Sequence, residues 1–441
     1  MTDMLTEVEN WLEENWDPDL TVAEWWERLG LAGWAAPTYP TNAYGKGLSR
    51  GDAVLVANAI AEHGALNAPG GLGLLLAGPT IAEHGTPEQI ERYVRDIVTG
   101  QKAWCQLFSE PGAGSDLAGL QARAEQDGEE WIVNGQKVWT SGGHIADLGM
   151  LIARTDSDVP KHQGISYFAI EMAQPGVDIR PLREMTGRAL FNEVFLTDAR
   201  VSDDAMISGK GNGWAVANST LAYERAGLGA GGGSQAVSAA RPGSVAGDLD
   251  KRAGDFVSQR PAKKAPSKDP DTTKQRSGGT ARLSGLAARL ATIAQENGTI
   301  DDATIRDDLM RLHTLGEIGR INNLRVKGAR EYDRTIPGMG NISKLSMSDL
   351  VRLQRDLGLR IVGANGMLHS YDDDGRAAIT EATGMPMLGV ITELALFAQG
   401  PPIYGGTDQV QRNIIGERVL GLPKEPNNDR VTPFSELPKN A

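Results

Sequence analysis

The apolar residues of this 441-residue chain change their spacing twice, and the two changes divide it into three parts. Up to about residue 103 they recur with a helical period, as from Val54 to Ile60. From about residue 104 they form short runs separated by Gly, Pro and Asp, which is typical of strands. Helical spacing returns at Ala215 and dominates the rest of the chain. The pattern therefore predicts an α+β fold.

The same pattern sets the expected boundaries. The expected domains are an N-terminal helical domain (1–103), a small antiparallel β domain (104–206), a C-terminal helical bundle (207–425) and a tail (426–441). Strands are expected at the apolar runs 103–107, 148–153, 165–170 and 193–196. Hairpin turns are expected at Asp127-Gly128 and at Asn134-Gly135. The later helices are expected at 215–233, from Asp301, at 346–361 and at 386–397.

Two histidines lie near expected helix ends, each directly before a glycine: His63-Gly64 and His84-Gly85. A histidine in the last turn suits the negative end of the helix dipole, and glycine suits the position that follows the helix. We therefore interpret both histidines as helix caps and expect no metal site. Thr86, followed by Pro87 and Gln89, is typical of the start of the next helix.

Two glycine-rich or proline-rich segments of the C-terminal part need a separate interpretation. Residues 241–282 contain much Pro, Lys, Ser and Gly with little apolar content, so we expect a flexible insertion there. The glycines at 227, 229 and 232 match the spacing of a dinucleotide-binding loop, but the residues before them look helical and no β–α–β unit follows. A nicotinamide-dependent Rossmann enzyme is therefore a poor interpretation.

Composition excludes several kinds of partner. The formal charge of −13 and the pI near 5.1 argue against binding to nucleic acid or to an anionic membrane surface. Cys105 is the only cysteine, so no intrachain disulfide can form and a reducing compartment is expected. The N-terminus resembles no targeting peptide, and no apolar run is long enough to span a membrane. The expected location is the cytoplasm.

The candidate chemistry lies in two segments of the β domain. Residues 108–116 combine proline, glycines and serines, which predicts a loop whose backbone approaches a ligand closely. About twenty-five residues later, Trp139, Thr140 and Ser141 close a predicted strand. Together the segments offer backbone N–H groups, hydroxyls and an aromatic face, which is what a flat polar ring system requires.

This pair of segments resembles the acyl-CoA dehydrogenase family, and the resemblance extends over nearly the whole chain. It implies FAD as cofactor, with Ser141 on the hydroxyl that bonds flavin N5 and Trp139 beside the ring. The cofactor-binding residues that it implies are Gln106, Phe108, Ser109, Gly114, Ser115, Trp139, Thr140, Ser141, Thr407 and Gln409. Arg360, Gly363 and Ala364 fall on the segment that contacts the FAD of a neighbouring subunit.

The catalytic base is the sharpest question that the resemblance raises. Many members carry it as Glu in Tyr-Glu-Gly-Thr, but this chain has Gly405 there. A subset, the isovaleryl and long-chain type, has Glu before Arg on the mid-chain helix, and this chain has Glu224 there. Glu224 is therefore the implied base; without the resemblance, an ordinary solvated helix residue would be the better interpretation. The implied substrate contacts are Ser115, Ala222, Tyr223, Arg225 and Gly405.

The resemblance also implies a reaction and partners. The reaction is α,β-dehydrogenation of an acyl-CoA thioester to the trans-2-enoyl-CoA, with electrons passed to an electron-transfer flavoprotein. The alternatives are an acyl-CoA oxidase and a non-catalytic partner subunit. Family members carry an Arg-x-x-Phe-Gly motif that reaches FAD across a dimer interface, and residues 252–257 lack it. The expected assembly is thus a tetramer, either of identical chains or an actinobacterial type of α2β2 complex with a related subunit.

Overall fold

The structure, a computed structural model, describes residues 2–229, 248–257, 280–332, 334–426 and 428–438. It confirms the α+β fold, with helices first, a sheet in the middle and a helical bundle last. The helix expected at 215–233 is described as far as residue 229, and most of the expected insertion lies outside the described residues. Within the described ranges, none of the helices has the length and apolarity that a membrane crossing requires.

The N-terminal part confirms two of its three predicted helix caps. Thr86 forms the predicted capping box with Gln89. Gly64 follows its helix in the left-handed conformation, with φ of 85°. The prediction for His84-Gly85 is wrong, because Gly85 has an extended backbone with φ of −80° and His84 Nε2 lies 2.8 Å from Ser219 Oγ. The helices of this part are α1 (Thr2–Asn15), α2 (Val22–Leu31), α3 (Arg50–His63), α4 (Gly78–His84), α5 (Pro87–Gln89) and α6 (Arg95–Val98).

The middle part is one eight-stranded sheet with the order β6-β7-β3-β2-β4-β5-β8, and β1 pairs with β4 off this path. Its strands are β1 (Trp104–Leu107), β2 (Arg123–Asp127), β3 (Glu130–Ser141), β4 (Leu148–Arg154), β5 (Ile165–Glu171), β6 (Val177–Leu182), β7 (Phe191–Ser202) and β8 (Met206–Ile207). Most neighbours are antiparallel, but β4 pairs in parallel with both β1 and β2. The sheet is therefore mainly antiparallel, as expected, with two parallel pairings that the sequence did not predict, both at β4.

One of the two predicted hairpin turns is wrong. Asp127-Gly128 does connect β2 to β3, but Asn134-Gly135 lies inside β3, where the register against β7 shifts. The reason is a long-range contact: a Cβ on Gly135 would lie 2.5 Å from the Ala122 Cβ and 2.6 Å from its Cα. The glycine therefore permits a close approach between two backbone segments rather than a turn.

The C-terminal part is a helical bundle that starts directly after the sheet. Its helices are α7 (Gly213–Gly229), α8 (Thr280–Glu296), α9 (Ala303–Glu331), α10 (Met339–Val362), α11 (Asp373–Thr383), α12 (Leu388–Phe397) and α13 (Asp408–Ile414). Gly227 and Gly229 lie in α7, as predicted, and not in a loop between a strand and a helix.

Two separate apolar clusters form the core. The larger one is shared by the N-terminal helices and the sheet, and it includes Trp25, Trp104 and Phe168. The smaller one lies within the bundle and includes Leu312 and Leu357. Since α7 contributes Val216 and Ala217 to the larger cluster, this helix is anchored to the sheet along its first turns.

Residues 248–257 correct the expectation of a flexible insertion over that part of 241–282. They lie against the N-terminal helices, because Ala253 is buried and Arg252 forms an antiparallel bridge with Thr21. The Arg252 guanidinium lies 2.6 Å from the Asp19 carboxylate. The few apolar side chains of this stretch are enough to dock it onto an existing core.

Candidate active site

Glu224, the predicted base, lies on α7 with its side chain half-buried. Burial raises the pKa of its carboxyl group, and a hydrogen bond from the Gln106 side chain and the charge of Arg225 act in the opposite direction. Gln106 lies on β1 and was itself predicted to bind the cofactor. The structure thus brings two predicted site residues from distant parts of the chain into contact.

The glycine-rich loop after β1 is held in place by a buried ion pair. Lys137 is fully buried, and its Nζ donates to Glu110 Oε1 at 2.8 Å and to the Phe108 carbonyl at 3.1 Å. The Glu110 carboxylate also accepts from the backbone N–H groups of Gln121 and Ala122, at 2.7 Å and 2.9 Å. Sequence reasoning missed this pair, although it fixes the backbone on which the predicted cofactor contacts lie.

The predicted loop residues differ in what they can offer a ligand. Phe108 packs edge-on against Tyr167 in the core, so its backbone rather than its ring is available. Gly114 and Ser115 are exposed, and a Cβ on Gly114 would meet nothing within 4 Å. The Ser109 carbonyl accepts from the Val138 N–H at 2.9 Å, which places this loop beside the end of β3.

The end of β3 presents an aromatic face. Trp139 has a left-handed backbone, with φ of 62°, and its side chain is 59% exposed. An edge-on contact with Phe191, 5.7 Å between ring centroids, holds the indole. Thr140 is buried and its hydroxyl has no partner among the described residues, whereas Ser141 is half-buried. The exposed indole face and the neighbouring Ser141 hydroxyl are both available to a planar ligand.

The loop before α13 carries the remaining predicted contacts. Gly405 and Gly406 both have left-handed backbones, with φ of 63° and 79°. Thr407 caps α13, because its hydroxyl accepts from the Val410 N–H at 3.1 Å, and Gln409 is exposed. Ion pairs from Asp408 to Lys344 and Arg352, each 2.8 Å, attach the loop to α10. No carboxylate side chain stands at Gly405, so this loop cannot supply the base.

The other predicted substrate contacts lie around Glu224 on α7. The Tyr223 hydroxyl donates to Glu83 of α4 at 3.0 Å, and burial together with this carboxylate raises its pKa to about 12. Ala222 is exposed. Arg225 is also exposed, and its guanidinium lines a cleft described below. The three residues therefore face different surroundings, and only Arg225 lines that cleft.

Arg360, Gly363 and Ala364 lie at the end of α10 and are partly or fully exposed. The Arg360 guanidinium bonds to Asp308 and to Thr304 of α9 within the same chain. Gly363 ends α10 with a left-handed φ of 57°. A role toward the cofactor of a neighbouring subunit stays a prediction for these three residues.

An open cleft of about 780 Å³ lies beside α7, and sequence reasoning did not find it. Arg225 lines it together with Arg418, which follows α13, and Arg430 of the tail. Trp214, Asn218 and His162 form much of the remaining wall. No pattern in the sequence connects the three arginines, because they lie on three segments that only the fold brings together.

These residues fit a flavin ring between the end of β3 and α7. The exposed indole of Trp139 and the half-buried hydroxyl of Ser141 provide an aromatic face and a hydrogen-bonding group on β3, and Glu224 provides a carboxylate on α7. The contact between Glu224 and Gln106 and the bond between Ser109 and Val138 join these elements.

Comparison with known proteins identifies the family of this chain. The N-terminal, middle and C-terminal domain models of acyl-CoA dehydrogenases match residues 2–101, 105–199 and 275–420. The acyl-CoA dehydrogenase IpdE1 of Mycobacterium tuberculosis is 34% identical over 404 residues, which cover 91% of this chain and 88% of that protein. The chain therefore belongs to the acyl-CoA dehydrogenase family, whose members oxidise CH–CH groups, and the family implies FAD as cofactor.

Further relatives add detail on sequence and on fold. The acyl-CoA dehydrogenase FadE34 of M. tuberculosis is 48% identical over 203 residues, which are 46% of this chain and 28% of that protein. Among solved structures, the ChsE4-ChsE5 complex from M. tuberculosis superposes with a TM-score of 0.64 at 24% identity, covering 96% of this chain and 98% of that one. The steroid ACAD Tcur3481-Tcur3483 superposes with a TM-score of 0.65 at 23% identity, covering 96% of this chain and 98% of that one. These likenesses confirm the fold.

Proposed function

We propose that this chain is an FAD-dependent acyl-CoA dehydrogenase that converts an acyl-CoA thioester to its trans-2-enoyl-CoA and passes the electrons to an electron-transfer flavoprotein. The observation that carries the proposal is the half-buried Glu224 carboxylate, bonded to Gln106 and made more basic by burial. Gly405 offers no carboxylate, so Glu224 is the acid–base group at the position that the reaction needs.

The chain's own part of the reaction is proton removal. Glu224 takes the proton from the carbon next to the thioester carbonyl, the β-hydrogen leaves as hydride, and a C=C bond forms between the two carbons. A partly desolvated carboxylate is a stronger base than one in water. A stronger base can take a proton from a weakly acidic C–H group more readily. The side chain of Gln106 bonds to this carboxylate and favours its charged form.

FAD, when bound, supplies the hydride acceptor that no side chain can provide. Trp139 and Ser141 would hold the ring at the end of β3, and the backbone of residues 108–115 would supply N–H donors. Thr407 can still donate its hydroxyl proton, since its oxygen is used as an acceptor for the helix cap. Gln409 offers an exposed amide from the same loop.

The cleft beside α7 suits the polyanionic end of CoA. The whole chain carries a formal charge of −13, so phosphates can be attracted only by a local group of cations. Arg225, Arg418 and Arg430 provide one. Arg225 and the proposed base lie on the same helix, α7, so the proposal places the phosphates of CoA at the arginines and the thioester at Glu224.

Exchange of Glu224 for Gln tests the proposal directly. Under anaerobic conditions, the flavin of the Glu224→Gln variant should be bleached by acyl-CoA about 10²–10⁴ times more slowly than that of the wild type, since a general base contributes that much. Flavin content should be unchanged. Glu14→Gln is the control, because Glu14 is an exposed carboxylate on α1 and belongs to none of the predicted site contacts. Wild-type bleaching by Glu224→Gln would show that the base lies elsewhere.

The proposal includes a tetramer in which a related subunit completes the cofactor site. Arg252, at the position where the family's interface arginine was expected, is engaged by Asp19 of its own chain. A partner chain would then supply the missing pyrophosphate contact. Co-expression with related dehydrogenase chains and measurement of FAD per chain test this part. A homotetramer of the lone chain with one FAD per subunit would contradict it.

A further inference from the structure

The C-terminal tail returns to the sheet and forms one wall of the arginine cleft. We call residues 428–438 the strap. The N–H groups of Phe434 and Ser435 donate to the carbonyls of Val159 and Ser157, at 2.9 Å and 2.8 Å, so the strap lies along the loop between β4 and β5. An isolated β-bridge between Pro160 and Pro433 follows the same path.

Side chains fix the strap at two further points. The buried guanidinium of Arg154 lies over the Phe434 ring, 3.4 Å from its centroid. Lys161 bonds to Asp429 of the strap at 2.5 Å and to Asp116 of the glycine-rich loop at 2.9 Å. One lysine thus joins the strap to the loop that carries Ser115. This anchoring places Arg430, the next residue, at the rim of the cleft, where its side chain remains exposed.

The described residues that line the cleft include three arginines and no carboxylate. Burial lowers the pKa of Arg225, and Glu224 and Arg418 act on it in opposite directions. Asp116 and Asp429 act on His162 in the same wall, so they offset part of the positive charge on that side. The group of three arginines suits a ligand with several negative charges.

The wall between the arginines is aromatic. His162 and Trp214 pack edge-on, with ring centroids 4.9 Å apart. A ligand that joins phosphates to a flat base meets both requirements of this cleft, since the guanidinium groups take the phosphates and the rings take the base. The nucleotide end of CoA is such a ligand.

We propose that the strap is part of the substrate site and that Arg430 binds the phosphates of the CoA thioester together with Arg225 and Arg418. This inference rests on the proposed function, because it takes acyl-CoA as the substrate. Arg430 is the member that the strap contributes, so a chain that ends after α13 would lack it. Arg430 acts on binding only, since it lies on a different segment from Glu224 and Gln106.

Binding of free CoA to the full-length protein tests the role of Arg430. We expect Arg430→Ala to weaken CoA binding about tenfold in calorimetry, as for one lost contact between a guanidinium and a phosphate at an accessible site. Binding of pantetheine, which lacks the nucleotide, should not change. Lys424→Ala is the matched control, because Lys424 is a cation of the same region that does not line the cleft. CoA affinity equal to that of the wild type would overturn the inference, as would equal losses for CoA and pantetheine.

Kinetics give an independent test. Arg430→Ala should raise the concentration of acyl-CoA needed for half-maximal flavin bleaching and leave the rate at saturation unchanged. Arg430→Lys should restore part of the affinity, because it keeps the charge but not the two-pronged geometry. A lower saturating rate with unchanged half-maximal concentration would contradict a role in phosphate binding. If acyl-CoA fails to bleach even the wild-type flavin, the proposed function itself fails, which distinguishes the two outcomes.

Discussion

Replacement of Lys137 by Met should destabilise the protein more than any surface change. The lysine is fully buried and donates to two acceptors, the Glu110 carboxylate and the Phe108 carbonyl. Methionine fills a similar volume but leaves Glu110 with only the N–H groups of Gln121 and Ala122 for its charge. Removal of one partner from a buried ion pair costs about 3–5 kcal/mol, a large share of the about 5–15 kcal/mol by which typical domains are stable.

Chemical denaturation of Lys137→Met, Glu110→Gln and the double variant measures this effect. The double variant has no unpaired charge at this pair. Its free energy of unfolding should therefore fall by about 2 kcal/mol less than the sum of the two decreases in the single variants. Lys102→Met serves as the surface control: this lysine is 43% exposed and 3.9 Å from Asp147. Lys102→Met should lower the free energy of unfolding by about 0.5 kcal/mol or less. A change below about 1 kcal/mol in Lys137→Met, or strict additivity in the double variant, would refute the reasoning.

Two further predictions concern pH and backbone geometry. Burial raises the pKa of Glu224 above its ordinary value of 4.5. As the pH rises above that value, the carboxyl group ionises more easily in the unfolded state than in the folded state, which lowers the free energy of unfolding. Glu224→Gln should therefore melt at a higher temperature than the wild type at pH 8, with a difference that shrinks toward pH 4.5; equal melting temperatures at all pH values would contradict this. Gly135→Ala should lower the free energy of unfolding by about 2 kcal/mol or more, because its Cβ would lie 2.5 Å from the Cβ of Ala122. Gly128→Ala should lower it by about 1 kcal/mol, because Gly128 has open space around it and only its φ of 67° is unfavourable for alanine. Denaturant titration of both variants measures the difference, and the reverse order would contradict the close approach at Gly135.

Local features of the fold were predictable from the sequence. The Thr86 capping box, the glycine after His63 and the order of helices and strands all depend on neighbours a few residues apart. The role of Asn134-Gly135 was not predictable, because it depends on the approach of Ala122, which directly precedes β2. The parallel pairing of β1 with β4 depends in the same way on the path of the chain between them.

In the candidate site, too, the residues marked by a local motif were predictable, and those brought together only by the fold were not. Glu224 could be assigned because a short motif marks it, and its contact with Gln106 agrees with that assignment without testing it. The arginine cleft could not be found, since Arg225, Arg418 and Arg430 become neighbours only through the docking of α7, α13 and the strap. The tail gave no indication of its position, because what holds it is the side chains of Arg154 and Lys161 in the sheet domain.

The continuous apolar cluster beneath the N-terminal helices and the sheet limits how this protein can be divided. A cut between residues 103 and 104 would leave Trp104 without Tyr93, whose ring packs edge-on against it at 5.7 Å between centroids. The bundle from α8 onward has its own cluster and depends less on the rest. The residues of the larger cluster, from Val8 to Ala217 together with Ala253, should therefore be inherited as one unit, whereas the bundle with its own cluster could change more freely.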